Sequence, residues 1–269
     1  MADSDGLSTA SVERFLKDRH ELGGTVVRHS LPRQVAERIG RAIVGGEFAP
    51  GGSLPGEIEL TRSLGVSRPG LREALTLLAG KGLIAARPKS GTSVRPRGDW
   101  NMLDVDVLAW RLGDEPTPDL VDAWFDFRAR IEPFGARLAA LRATDAARAR
   151  IAAAYGAMEA HRADLPRSVD SDIAFHQAVL EAGGNEFLTP LGRSLESALR
   201  ASFLLSSKRG GARDAALALH EAVVAAIDAR DADRAETAMN RLIEAARQDL
   251  LWVVGTAGEP HRPARLDQG

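Results

Sequence analysis

The sequence predicts a mainly α protein with one small two-stranded hairpin in its N-terminal third. Three observations carry that prediction. Between Leu31 and Leu78, apolar residues recur at helical spacing in three segments divided by turn signals. Between Leu83 and Val94, two short strand-like runs flank a turn containing Pro88 and Gly91. From Pro118 onward, helical spacing is almost continuous and no strand signal interrupts it.

Composition narrows the classes. A chain of 269 residues suits one large domain or two ordinary ones, and 44 % hydrophobic residues supply real cores and exclude disorder over most of the length. The absence of cysteine excludes a disulfide scaffold, a thiol nucleophile and cysteine-ligated zinc or iron–sulfur sites. No uncharged apolar run reaches the ~18–20 residues of a membrane helix. The N-terminus, MADSDGLSTA, lacks the basic-then-apolar pattern of a signal peptide. A cytoplasmic protein with no membrane partner is expected. The net charge of −2 hides an asymmetry. Residues 1–98 carry 15 Lys and Arg against 10 Asp and Glu, whereas residues 99–269 carry 20 against 27, so the basic N-terminal part is where a polyanion would bind.

The elements follow in order. Residues 1–26 are polar and read as a flexible extension with one short helix around Ser11–Leu22. In the next region, 27–96, Val35, Ile39, Ile43 and Val44 share one helix face, and Gly45-Gly46 stops that helix. Phe48 to Pro55 is a turn-rich connector. A short helix over Glu57–Leu64 carries Leu60 and Leu64 and ends at Gly65. Ser67 is a good N-cap, and Pro69 falls in the first turn, where its missing N–H costs little. The third helix turns Leu71, Ala74, Leu75 and Leu78 inward and Arg68, Arg72 and Glu73 outward. Leu83–Ala86 and Thr92–Val94 form the hairpin.

Helix, short helix, three-residue turn, helix and hairpin make a winged helix-turn-helix, which places its second turn helix in the major groove of DNA. Arg68 and Arg72 lie one turn apart and can each donate a bidentate pair to guanine O6 and N7. Lys89 at the wing turn reaches phosphate or the minor groove. With Ser67 at the helix start and Gly91 in the wing, these are the candidate DNA-binding residues. The run Leu54-Pro-Gly-Glu-Ile-Glu-Leu-Thr-Arg-Ser-Leu-Gly-Val-Ser-Arg-Pro-Gly-Leu-Arg-Glu-Ala-Leu75, with Gly82-Leu-Ile and Ser90-Gly-Thr, resembles the winged helix of the GntR family of bacterial transcription regulators. The resemblance implies a homodimeric repressor that reads a palindromic double-stranded operator. Where the family carries an Arg that grips the DNA backbone this chain has Ile58, and Arg62 is the candidate substitute.

Residues 97–114, with Trp100 and Trp110, read as a linker. Residues 115–255 read as an antiparallel all-α bundle of six to seven helices, and 256–269 as a flexible tail. Helix breaks are expected near Arg142, Asp164, Gly183, Arg209 and Asp228–Asp231. Within this region, Asp172 and His176 share a helix face at i and i+4, and His220 has apolar neighbours. The spacing leaves two readings: a carboxylate and two imidazoles around a divalent metal, or an Asp–His pair at a helix start with a separate buried His.

The bundle is similar to the effector-sensing FCD domain of the FadR-type branch of the GntR family. That resemblance implies a metal, Zn, Ni or Mn, held by Asp172, His176 and His220. The fourth ligand expected about 22 residues after His220 is replaced by Leu242. The same resemblance makes Arg128, four residues before Glu132, the effector-binding residue that clamps a carboxylate bidentately. The 100–110 stretch resembles regulators of galactonate and other sugar-acid catabolism, which implies a small carboxylate effector of the sugar-acid class. Two rivals are weaker. Asp172, His176 and His220 have the composition of a non-haem iron triad, but no separate base or nucleophile accompanies them, so no enzyme is expected. An RNA-binding role lacks stacking aromatics, since Tyr155 is the single tyrosine.

Overall fold

The computed structural model describes residues 30–87, 91–113 and 116–257. Lys89, the predicted extension 1–26 and most of the predicted tail 256–269 lie outside them. The chain divides into two compact units, Met1–Asp114 and Glu115–Gly269. No helix among the described residues is long and apolar enough to cross a membrane.

The first unit is built from α1 (Leu31–Val44), α2 (Glu57–Leu64), α3 (Arg68–Gly80), β1 (Ile84–Arg87), β2 (Gly91–Val94) and α4 (Val105–Gly113). Helix α1 buries Val35, Ile39, Ile43 and Val44, the face its periodicity marks. Gly65 closes α2 in the left-handed conformation (φ 67°), which an L side chain resists. Ser67 Oγ accepts the Gly70 N–H and caps α3, whose Leu71, Ala74 and Leu78 are buried. The two strands pair antiparallel, from Ile84 opposite Val94 to Arg87 opposite Gly91.

The stretch expected as a linker is built into this unit. A 3₁₀ turn (Arg97–Asp99) leads into α4, and Trp100, Val107 and Trp110 join the same buried core as Val35, Ile39 and Leu71. Three contacts hold it there. Trp100 Nε1 donates to the Arg95 carbonyl at 3.0 Å. Lys81 Nζ reaches Asp104 Oδ1 at 2.8 Å and Asp106 Oδ2 at 2.7 Å. Asp104 in turn accepts the Asp106 and Val107 N–H groups and caps α4. Burial pushes the Lys81 ammonium down, but hydrogen bonds and the charges of Asp104 and Asp106 outweigh it, so its pKa is raised. Gly40 of α1 lies flat against the Trp110 ring, where a Cβ would overlap it.

The second unit comprises α5 (Pro118–Arg142), α6 (Asp145–Ala160), α7 (Leu165–Ala182), α8 (Leu188–Ser194), α9 (Glu196–Ser206), α10 (Ala212–Asp228) and α11 (Ala232–Ala257). Thr117, Thr144 and Asp164 cap α5, α6 and α7 through their side-chain oxygens. The expected breaks fall between these helices. The further break at Leu195, between α8 and α9, follows Pro190 and Gly192. Helix α5 packs along α11, and Arg247 bridges Asp122 (2.7 Å) and Asp126 (3.1 Å) while Arg137 pairs with Asp233 and Glu236. Helix α5 also crosses α7 closely. A Cβ on Gly135 would stand 2.5 Å from Leu180 Cδ2, so a larger residue here would require the Leu180 side chain to shift.

Two glycine substitutions should move stability in opposite directions. Gly→Ala inside a helix normally stabilises by about 0.5–1 kcal/mol. Gly156→Ala in α6 meets open space and should raise the unfolding free energy by that amount. Gly40→Ala forces its methyl into Trp110, and overpacking costs about 1–3 kcal/mol, so that variant should be destabilised overall. Urea denaturation of the two variants checks both signs.

Candidate functional site

The candidate DNA-binding elements are exposed. Arg68 and Arg72 project from the first two turns of α3, with 69 % of the Arg72 side chain in solvent. Arg72 Nε donates to Glu57 Oε2 of α2 at 3.2 Å, a contact that sequence spacing did not reveal. An exposed pair of this kind contributes about 0–1 kcal/mol, less than a base contact, so it orients the guanidinium without locking it. Ser67 spends its oxygen lone pair on the Gly70 cap and keeps its O–H proton for an acceptor. Gly91 opens β2 with φ 79°, which requires glycine at that corner. Ile58 is 61 % exposed, and Arg62, one turn further along α2, is exposed on the same face.

In the second unit, α7 and α10 bring Asp172, His176 and His220 together, with one candidate ligand atom from each within 4.8 Å of the others. Both imidazole Nε2 atoms stand 3.3 Å from Asp172 Oδ1. Their other nitrogens are anchored: His220 Nδ1 donates to the Ala216 carbonyl at 2.7 Å, and His176 Nδ1 pairs with Glu132 Oε2. Phe175 meets both rings edge-on, at 5.6 Å from His176 and 4.9 Å from His220. The anchoring fixes the chemistry. The carbonyl beside His220 Nδ1 demands a proton there, so the neutral ring presents its Nε2 lone pair to a carboxylate oxygen. A divalent cation between two imidazole lone pairs and a carboxylate relieves that opposition, and the carbonyl and carboxylate behind the rings are the usual outer partners of metal-bound histidine. These residues fit a metal.

The charges around the triad are strongly coupled. Burial pushes the Glu132 carboxyl up, but Arg128 and His176 outweigh it and hold it at about 2. Burial also opposes ionisation of Asp172, and the two imidazoles hold it well below the ordinary carboxylate range. Desolvation lowers His176, yet Glu132 and Asp172 on its two sides raise it to about 9. Without metal, a proton on His176 Nε2 fills the place where a cation would bind.

A cavity of about 150 Å³ opens beside the triad, lined by Arg128, Phe203, Arg213, Leu242 and Asp249 among others. A cavity of this volume holds a small molecule. Leu242 is 3 % exposed and forms part of this wall, so the position of the expected fourth ligand faces the cavity with an apolar side chain. Arg128 lines the cavity, but the expected two-pronged clamp needs correction. Its Nε donates to Glu132 Oε1 at 2.5 Å and its Nη2 to Oε2 at 3.4 Å. Only Nη1 is left, buried and without a hydrogen-bond partner among the described residues. A buried carboxylate on the same helix, four residues on, takes the fork. The i,i+4 spacing of Arg128 and Glu132 was legible in the sequence; its burial was not.

Comparison with known proteins decides the family. Residues 31–94 match the gntR family of bacterial regulatory proteins, and residues 123–245 match the FCD domain. The galactonate operon transcriptional repressor of Escherichia coli K12 is 36 % identical over 217 residues, covering 79 % of this chain and 93 % of its own. The chain belongs to the GntR family. It is a GntR-type transcription regulator with an FCD domain, and its relatives are regulators rather than enzymes. The HTH-type transcriptional regulator YieP of the same organism is 33 % identical, covering 80 % of this chain and 93 % of its own. Among solved structures, that of Lar from Listeria monocytogenes shares the fold at 18 % identity (TM-score 0.54), covering 84 % of this chain and 98 % of its own.

The pocket electrostatics of this regulator predict a pH-dependent stability without metal that is lost when metal is bound. In chelated protein, His176 keeps a proton up to about pH 9 that the unfolded chain loses near 6.5. The native state therefore holds more protons than the unfolded one across that window, and stability falls as pH rises, by about 1–3 kcal/mol. With a divalent metal on Nε2 that proton is gone, and the fall should vanish. Melting curves of chelated and zinc-loaded protein from pH 6.5 to 9 check this. A chelated protein with a level melting temperature would contradict the assigned charge on His176.

Proposed function

We propose that this regulator is a homodimeric repressor, bound to a palindromic operator through α3 and the wing and released by a small carboxylate of the sugar-acid class. The DNA-binding role falls to residues 27–96 and the sensing and dimerising role to residues 115–255. The observation that carries the reading is the second unit's small cavity, walled by a metal-type triad and an arginine with a free buried nitrogen. A carboxylate is the natural partner of both. Kinship with a protein named as a galactonate operon repressor supports the sugar-acid class, and a cavity of about 150 Å³ disfavours a long acyl chain.

Asp172, His176 and His220 would hold the metal, Zn, Ni or Mn, leaving coordination positions for effector oxygens where Leu242 supplies none. The metal, when bound, supplies a Lewis-acidic anchor for the carboxylate. Arg128 Nη1 adds a charged hydrogen bond, Glu132 holds His176 in place, and Phe175 and Phe203 exclude water from the rings. Effector binding must favour the domain arrangement that binds operator poorly, since a ligand shifts an equilibrium only through differential affinity.

Two measurements test the reading. Arg72→Ala should remove operator discrimination while leaving the fold intact, because each base contact contributes about 1–3 kcal/mol and a dimer has two copies. Binding to operator and to random duplex at matched salt checks it, and wild-type discrimination would displace the recognition face from α3. In the second, sugar acids should release the operator and raise the melting temperature, and acyl-CoA esters should do neither. Response to acyl-CoA alone would overturn the effector class. Elemental analysis of untagged protein reads the metal directly.

A further inference from the structure

We propose that the effector has two anionic ends, a carboxylate at the triad and a second anionic group, phosphate or carboxylate, held by Arg213. This inference rests on the sugar-acid reading and narrows it. Arg213 lines the same cavity as Arg128 and the triad. Its Nη1 is buried and has no hydrogen-bond partner among the described residues, as is true of Arg128 Nη1. A buried donor on a charged guanidinium is costly to leave unsatisfied, so two arginines that line one cavity and each hold such a donor point to a ligand with two acceptor groups.

The spacing suits such a ligand. Arg213 precedes His220 by seven residues on α10, which puts both on one helix face about 10 Å apart along the axis. A six-carbon acid with an anionic group at each end spans about 8–10 Å by ordinary bond lengths. The local carboxylate does not claim Arg213. Asp249 also lines the cavity, but its Oδ1 accepts Arg209 Nη1 at 2.7 Å, and the Arg209 guanidinium also stacks 5.6 Å from the Trp252 ring. Arg162, exposed on the cavity wall, adds a further positive charge. The rest of the lining mixes apolar Phe203, Leu217 and Leu242 with the polar Ser168, Ser206 and Ser207. A monoanionic acid would satisfy one end and leave the other arginine nitrogen buried and unmatched.

The test is calorimetric titration of the full-length protein with D-gluconate, 6-phospho-D-gluconate and D-glucarate at matched ionic strength. At least one of the two dianions should bind tenfold or more tightly than gluconate. Whichever binds tighter identifies the second group as phosphate or carboxylate. In Arg213→Gln that preference should fall to within twofold while gluconate affinity is unchanged, and unchanged gluconate binding itself proves the variant folded. Should Arg213→Gln not fold, Arg213→Lys, which keeps the charge but loses the fork, should still show a reduced preference. Equal binding of all three acids, or a preference that survives Arg213→Gln, would overturn the second anionic end and leave the sugar-acid reading standing. Failure of all three to bind would overturn both.

Discussion

Glu132 is a carboxylate buried between a guanidinium and an imidazole, and the pocket of the second unit depends on that chain of charges. A lone carboxylate at this depth would protonate rather than stay ionised. Arg128 on one side and His176 on the other keep it charged. In return Glu132 fixes the His176 ring, so that Nε2 and not Nδ1 faces Asp172. Removing one partner of such a buried set strands the others, at a cost of about 3–5 kcal/mol. The set also rests on backbone. Gly135 lets α5 approach α7 at Leu180, and one turn back along both helices the same approach brings Glu132 to His176.

The first unit is governed by a different constraint, the fit of two tryptophans. Trp110 lies on a helix position that only glycine leaves open, and Trp100 is tied to the Arg95 carbonyl. Lys81 is shared by Asp104 and Asp106 and fastens the end of α3 to the start of α4. Residues 97–113 therefore belong with the winged helix energetically, since Trp100, Val107 and Trp110 enter its core. Asp104 and Asp106 within this stretch spend their charge on one lysine and on a helix cap rather than on solvent.

The metal-type triad illustrates how sequence and structure divide the task. Asp172 and His176 are four residues apart, so helix geometry alone puts them on one face. His220 lies 44 residues beyond His176 on another helix, and only the packing of α7 with α10 delivers its Nε2 to the same carboxylate oxygen. The Arg128–Glu132 pair was visible as an i,i+4 spacing, yet i,i+4 pairs are mostly solvated. That this one is buried, and leaves Arg128 a single free nitrogen, follows from neighbours far away in the chain. Arg213 was unmarked for the same reason, in a chain rich in arginine.

The sequence by itself determined the element types, most of their ends and the family. Those depend on local physics: apolar period, N-cap hydroxyls, and glycines at left-handed corners such as Gly65 and Gly91. It also determined the candidate reading face, because Arg68 and Arg72 share a face of one helix. The tertiary structure alone decided which charges are buried and which are spent. The Glu57–Arg72 pair, the Lys81 clamp and the Arg128–Glu132–His176 set all join residues whose separation is set by helix packing. Burial and dielectric are properties of the assembled core, and no local pattern in the chain encodes them.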